Sequence, residues 1–196
     1  MKLVNETSEE SRNWNSRSDS CRLVSKRFEQ VEPILIKKYG EMASRRCQSK
    51  LIRISAMYYL LGEIYGKTVL DLGCGSIFSN DHTASIFQEQ RLYEPWLSRT
   101  LHELGARPIG IDSKHDLSEE FEGYKLNLCF PDSLKQFPDK SVDLACAFSL
   151  FDSPSLHYGN GFGAGRELFH CLIPQLERVV KDDGFFLFEP IGTGIR

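Results

Sequence analysis

The sequence predicts an α/β domain built on a mostly parallel sheet. Three observations carry this. Short apolar runs recur between residues 67 and 188, with amphipathic or crossover segments between them, and that alternation is how parallel strands are connected. The run Val69-Leu70-Asp71-Leu72 is apolar toward both sides, as a strand covered on both faces must be. It ends in Gly73-Cys74-Gly75, a paired-glycine turn where such sheets bring backbone close to a nucleotide-bearing ligand. The 196 residues suit one domain, and 41% hydrophobic with 26% charged content excludes wholesale disorder and a membrane-embedded body.

Taken in order, residues 1–20 are rich in Ser, Asn and Glu and are expected to form a disordered tail. They lack the apolar core of a secretory signal, and no apolar run approaches the roughly 18 residues of a membrane span. Residues 21–66 are expected to form an N-terminal helical extension. Within it one helix covers Leu23 to Tyr39, interrupted near Pro33, and Leu51, Ile54, Tyr58 and Leu61 make a buried stripe on another. Residues 67–196 are the α/β domain. Five strands are predicted, at Lys67–Leu72, Pro108–Asp112, Lys125–Phe130, Val142–Phe148 and Phe185–Phe188. Pro95 opens a helix carrying Leu97, Leu101 and Leu104 and closed by Gly105. Leu168, Cys171, Leu172, Leu176 and Val179 mark another, with a kink expected at Pro174. Asp182-Asp183-Gly184 turns it into the fifth strand.

Charge and cysteines set the context. The formal net charge of −3 gives no global positive field for nucleic acid or anionic membrane. The six cysteines are never closer than seventeen residues, so there is no CxxC and no zinc-ligand spacing. No disulfide framework and no metal are expected, and the chain fits a reducing, cytoplasmic setting.

The dinucleotide fingerprint needs a third glycine three residues after Gly75, where this chain has Phe78, which disfavours a pyrophosphate cradle. VLDLGCGS instead resembles the first motif of class I S-adenosylmethionine-dependent methyltransferases. RPIGIDSK, FPDKSVDLACAFSLF and LERVVKDDGFFLFEP resemble that family's later segments, in the family's order, from about Lys67 to Pro190. The resemblance implies a Rossmann-like three-layer fold and S-adenosyl-L-methionine as cofactor. It implies that Asp71 reaches the ammonium of the methionine moiety or, alternatively, caps the turn. Gly73, Cys74 and Gly75 form the cofactor-binding turn on the homocysteine side, with Cys74 as a packing residue rather than a nucleophile. Asp112 accepts from both ribose hydroxyls, or serves only as a helix cap. Asp132 is the adenine-site acid, with Ser133 and Leu134 beside the ring, or is a plain loop aspartate. Ser149, Phe151 and Asp152 face the place where the methyl group is delivered, with Ser149 counted among the cofactor contacts.

The sequence departs from that family in three places. Forty-one positions separate Asp71 from Asp112, about twice the family's spacing, and the excess lies in residues 77–91. Residues after the fifth strand do not supply the usual C-terminal β-hairpin. Phe185–Phe188 would then form an open edge, to be closed by a homodimer, by the N-terminal helices, or by chain beyond Arg196. After the fourth strand, Phe148-Ser149-Leu150-Phe151-Asp152-Ser153-Pro154 lacks the motif of nucleic-acid amine methyltransferases, which favours a small-molecule acceptor over protein or RNA.

Weaker signals complete the reading. Asp152 and His157 are candidate acid–base residues, each with an ordinary loop or capping role as the alternative. The glycine-rich run His157–Gly165 is a lid or a connector. Residues 21–53 carry nine Lys/Arg against three Glu, which is a phosphate-binding surface or a solvated helix face. The rival reading from another class is a non-catalytic, methyltransferase-like binding or dimerisation module.

Overall fold

The computed structural model describes residues 1–5, 18–75, 94–113, 118–148, 150–151 and 164–189. The strands are β1 (Lys2–Asn5), β2 (Thr68–Leu72), β3 (Arg107–Asp112), β4 (Glu122–Lys125), β5 (Val142–Ala147) and β6 (Val180–Phe188). The helices are α1 (Ser18–Tyr39), α2 (Met42–Gln48), α3 (Leu51–Leu61), α4 (Trp96–Glu103) and α5 (Ala164–Val179). The strands form one sheet in the order β1-β6-β5-β2-β3-β4, and every pair is parallel. The expected α/β class and its Rossmann-like, three-layer architecture are what the chain adopts.

Side chains alternate across the sheet and divide the core in two. Leu70, Leu72, Ala145, Ala147 and Phe186 pack against Leu168, Leu172 and Leu176 of α5. Leu134 and Phe137, from the crossing between β4 and β5, join them. On the other face Val69, Leu144, Cys146 and Leu187 pack against Phe28, Leu35, Ile54 and Met57 of the N-terminal helices and Leu101 of α4. The helical extension is therefore one of the three layers and shares a core with the sheet.

Several local expectations change. Lys2–Asn5, expected in the disordered tail, pair with Phe185–Phe188 as a parallel edge strand. Val4 is buried there, and the amino terminus donates to the Asp182 carbonyl at 3.0 Å. The open edge that motivated a homodimer across the fifth predicted strand is thus filled by the chain's own start. A sheet edge accepts main chain through N–H and C=O groups, which no side-chain pattern announces. The third predicted strand lies earlier, at Glu122–Lys125, and Phe130 is exposed. This strand is an edge, so pairing with Ile109–Asp112 places it rather than an apolar run. Val180 already pairs with Val142 and Phe185 pairs with Leu144, so Asp182-Asp183-Gly184 is a bulge inside β6. A Cβ on Gly184 would lie 2.7 Å from the Asp143 carbonyl oxygen. Neither Pro33 nor Pro174 ends its helix. Both are exposed, so water can serve the carbonyls that lose their partners.

The six cysteines are free thiols. Among the described residues no helix is long and apolar enough to cross a membrane.

One buried cation ties α4 to the β3–β4 connection. Arg99 donates from Nε to Glu119 at 2.9 Å and from Nη2 to the other Glu119 oxygen at 2.6 Å, and its Nη1 pairs with Glu94. The guanidinium lies 4.2 Å from the Tyr39 ring centre and 4.7 Å from that of Trp96. Arg99→Met leaves two nearly buried carboxylates without their cation. The expected loss is about 3–5 kcal/mol in urea unfolding, partly restored in Arg99→Met/Glu119→Gln.

Candidate functional site

Parallel strands place all their carboxyl ends along one rim, and in an open α/β sheet that rim binds ligands. β2 ends there in the paired glycines. Gly73 has φ +72 and Gly75 φ +96, conformations that L side chains rarely adopt. The turn hangs from the end of β3: the Gly73 and Cys74 amides donate to the Ile111 carbonyl at 2.7 and 3.1 Å. A Cβ on Gly73 would sit 3.0 Å from Leu150 Cδ1, so glycine is required there for space as well as conformation.

Asp112 is the last residue of β3, and its Oδ2 accepts from the Gly75 amide at 3.3 Å. The two elements that the sequence singled out are thus adjacent at the rim. Cys74 is buried, and its Sγ would be 2.9 Å from a Cβ built on Gly110. Burial, reinforced by Asp71, Asp112 and Glu119, pushes its thiol far above the usual range.

Asp71 points into the core on the side of the N-terminal helices. It is 3% exposed. Its Oδ2 accepts from Ser98 Oγ of α4 at 2.7 Å, and its Oδ1 faces the Cys146 thiol at 3.6 Å. Burial raises this carboxyl above the usual aspartate range; the Ser98 and Cys146 hydrogen bonds and the more distant Lys50 and Arg53 only moderate the effect. The same burial, with Asp71 adding to it, drives the Cys146 thiol far up.

One cation from the N-terminal layer contacts the same rim, and a second lies one helical turn before it. Arg53, in the first turn of α3, pairs with Glu189, just past β6, and lies 4.4 Å from the ring centre of Phe148, just past β5. Lys50, the N-cap of α3, precedes it by three residues and so shares its helix face.

The remaining predicted residues are distributed unevenly. Ser133 Oγ and the Leu134 amide bond Gln175 of α5, at 3.4 and 2.9 Å, while Asp132 is an exposed residue with φ 63. Phe151, expected at the methyl's landing place, is buried in the core edge-on to Phe169, with ring centres 5.4 Å apart. Leu150 takes the position over the turn instead. Ser149, Asp152, His157, most of the glycine-rich run and residues 77–91 lie outside the described residues. Of the basic stretch, Arg27 pairs with Glu63, Lys38 with Glu103 and Glu120, and Arg53 with Glu189. His102, Glu103 and Glu120 could together face a metal ion, but the Lys38 ammonium already lies 2.7 Å from Glu103 and bonds Glu120 as well.

Ser98, Cys146, Leu150, Lys50 and Arg53 were missed from sequence. Only the Lys50/Arg53 spacing carried a signal, and it was submerged in a longer basic run.

Because burial holds Asp71 above its unfolded value, the stability it confers is full below that unfolded value and is lost as pH rises through the folded one. Asp71→Asn keeps an acceptor for Ser98 and has no charge to desolvate. It is expected to gain about 1 kcal/mol at neutral pH, a rise of roughly 2–4 °C in thermal midpoint, and to show a flatter pH profile between acid and neutral. No family model matches the chain, and a comparison with curated proteins returns no match.

Proposed function

We propose that this chain is a methyltransferase that uses S-adenosylmethionine and acts on a small-molecule acceptor. The observation that carries the reading is the Gly73–Gly75 turn held against the end of β3 with the Asp112 carboxylate 3.3 Å from the Gly75 amide. A backbone bend without Cβ atoms, beside a carboxylate one strand away, suits a nucleoside with vicinal hydroxyls.

The residues present fit that group by chemistry. Gly75 admits the ligand to van der Waals contact with backbone, while at Gly73 the space of a Cβ is taken by Leu150. Asp112 accepts from the ribose hydroxyls, a task for a two-oxygen acceptor. Leu150, seated on Gly73, excludes water from the turn on the β5 side. Asp71, anchored by Ser98, lends negative potential under the turn toward an ammonium, without direct contact. Bound there, the cofactor would supply a sulfonium-activated methyl carbon for in-line displacement by an acceptor that gives up a proton. The chain's task is alignment and exclusion of water. Asp152 and His157 are the candidates to take that proton; Asp132, Ser133 and Ser149 are the further cofactor contacts proposed from sequence.

The test is calorimetry on the full chain with S-adenosylmethionine, S-adenosylhomocysteine and NAD. The first two should bind, and Asp112→Ala should weaken both by about a hundredfold, the worth of two hydrogen bonds to a charged acceptor. Labelled methyl transfer into a metabolite extract then identifies the acceptor. Binding without transfer to any acceptor supports the non-catalytic module, and no binding by either sulfur compound removes the reading.

A further inference from the structure

The strand order divides the rim into two halves. Asp112 ends β3 and the glycine turn ends β2. On the other side of β2, Phe148 follows β5 and Glu189 follows β6. Arg53 contacts both of these residues. Lys50 lies one helical turn before it, close enough to Asp71 and Glu189 for both to act on its charge. The N-terminal layer therefore delivers one cation to the half of the rim away from Asp112, with a second one helical turn before it. With a nucleoside over β2 and β3, this is the half an acceptor would approach.

Among the described residues, the acids nearby are already engaged. Glu189 is paired with Arg53, and Asp71 accepts from Ser98 and faces the Cys146 thiol. Arg53 also has an aromatic face beneath it. Lys50 differs. It is half-buried, and no hydrogen bond or ion pair of its ammonium appears among the described residues; burial and through-space charges act on it. Burial, with Arg53 and Arg46 adding to it, pulls its pKa down against the opposing effect of Asp71 and Glu189. An ammonium removed from water without a partner is costly. It offers three rotatable donors to an incoming acceptor group. A monoanion matches the charge of Lys50, whereas a phosphate dianion would meet Asp71 and Glu189 with too few donors.

We propose that Lys50, with Arg53 beside it, is a carboxylate-binding subsite for the methyl acceptor, at the carboxyl ends of β5 and β6. The acceptor is then a small carboxylic acid, held by its carboxylate while another atom takes the methyl group. The ownership of the carboxylate rests on the methyltransferase reading; the subsite itself does not.

The test uses benzoate and its neutral counterpart benzamide as probes, followed by ligand-detected NMR on the full chain with and without S-adenosylhomocysteine. Benzoate should bind saturably and benzamide should not. Lys50→Met should weaken benzoate about tenfold, while Lys50→Arg should hold it within about threefold. Lys50→Gln repeats the measurement if the Met variant does not melt like the parent. No saturable benzoate binding, equal binding of benzamide, or an unchanged affinity in Lys50→Met would overturn the subsite. A second arm compares S-adenosylhomocysteine with 5′-methylthioadenosine, which has no carboxylate. Lys50→Met should leave both affinities unchanged. A loss confined to S-adenosylhomocysteine assigns Lys50 to the cofactor's own carboxylate and overturns the acceptor assignment. If the parent chain binds neither nucleoside, the methyltransferase reading fails, and the benzoate response of the unliganded chain still decides the subsite.

Discussion

A parallel sheet with apolar strands must be covered on both faces, and most of this molecule follows from that requirement. β5 is buried along its whole length and β2 nearly so. α5 and the chain crossing from β4 to β5 cover one face; α1, α3 and α4 cover the other. With both faces closed, the rim of carboxyl ends remains for function. The covering elements choose which side chains reach it. The N-terminal helices bring Arg53, with Lys50 one turn before it, and α4 sets Ser98 against Asp71 in the core beneath.

Asp71 shows the tension between that cover and chemistry. A leucine at this position would pack without an electrostatic cost, yet a carboxylate is buried beneath the glycine turn with a hydroxyl and a thiol as its neighbours. Buried charge without a cation at contact distance is a burden on stability. Such a burden is expected where the field of the charge serves a ligand, because an inert core would gain by losing it. The Arg99 cluster is the opposite case. There two carboxylates flank one guanidinium between two aromatic rings, and the same kind of burial is satisfied internally.

The candidate site was legible where local chemistry and topology coincide. Gly73 and Gly75 could be read because positive φ and close approach leave few alternatives to glycine. Asp112 could be read because it closes an apolar strand. Ser133 could not be placed, since a loop serine bonds whatever helix packs over it, and here that is Gln175. Phe151 was misread for a related reason. Both lie past the end of β5, where period-2 alternation no longer applies: Phe151 enters the core and Leu150 packs at its margin against Gly73.

By itself the sequence determined the alternation of strands and helices, the central place of Val69–Leu72, the paired-glycine turn and the acid at the end of the next strand. These are written in periodicity and in conformations open to few residue types. The tertiary structure alone decided that Lys2–Asn5 closes the sheet edge, that Asp71 faces Ser98 and Cys146, and that Arg53 reaches the rim. Those facts depend on main-chain pairing and on contacts between residues far apart in the chain. Neither leaves a pattern in the order of residues, because the partner is fixed only when the layers close.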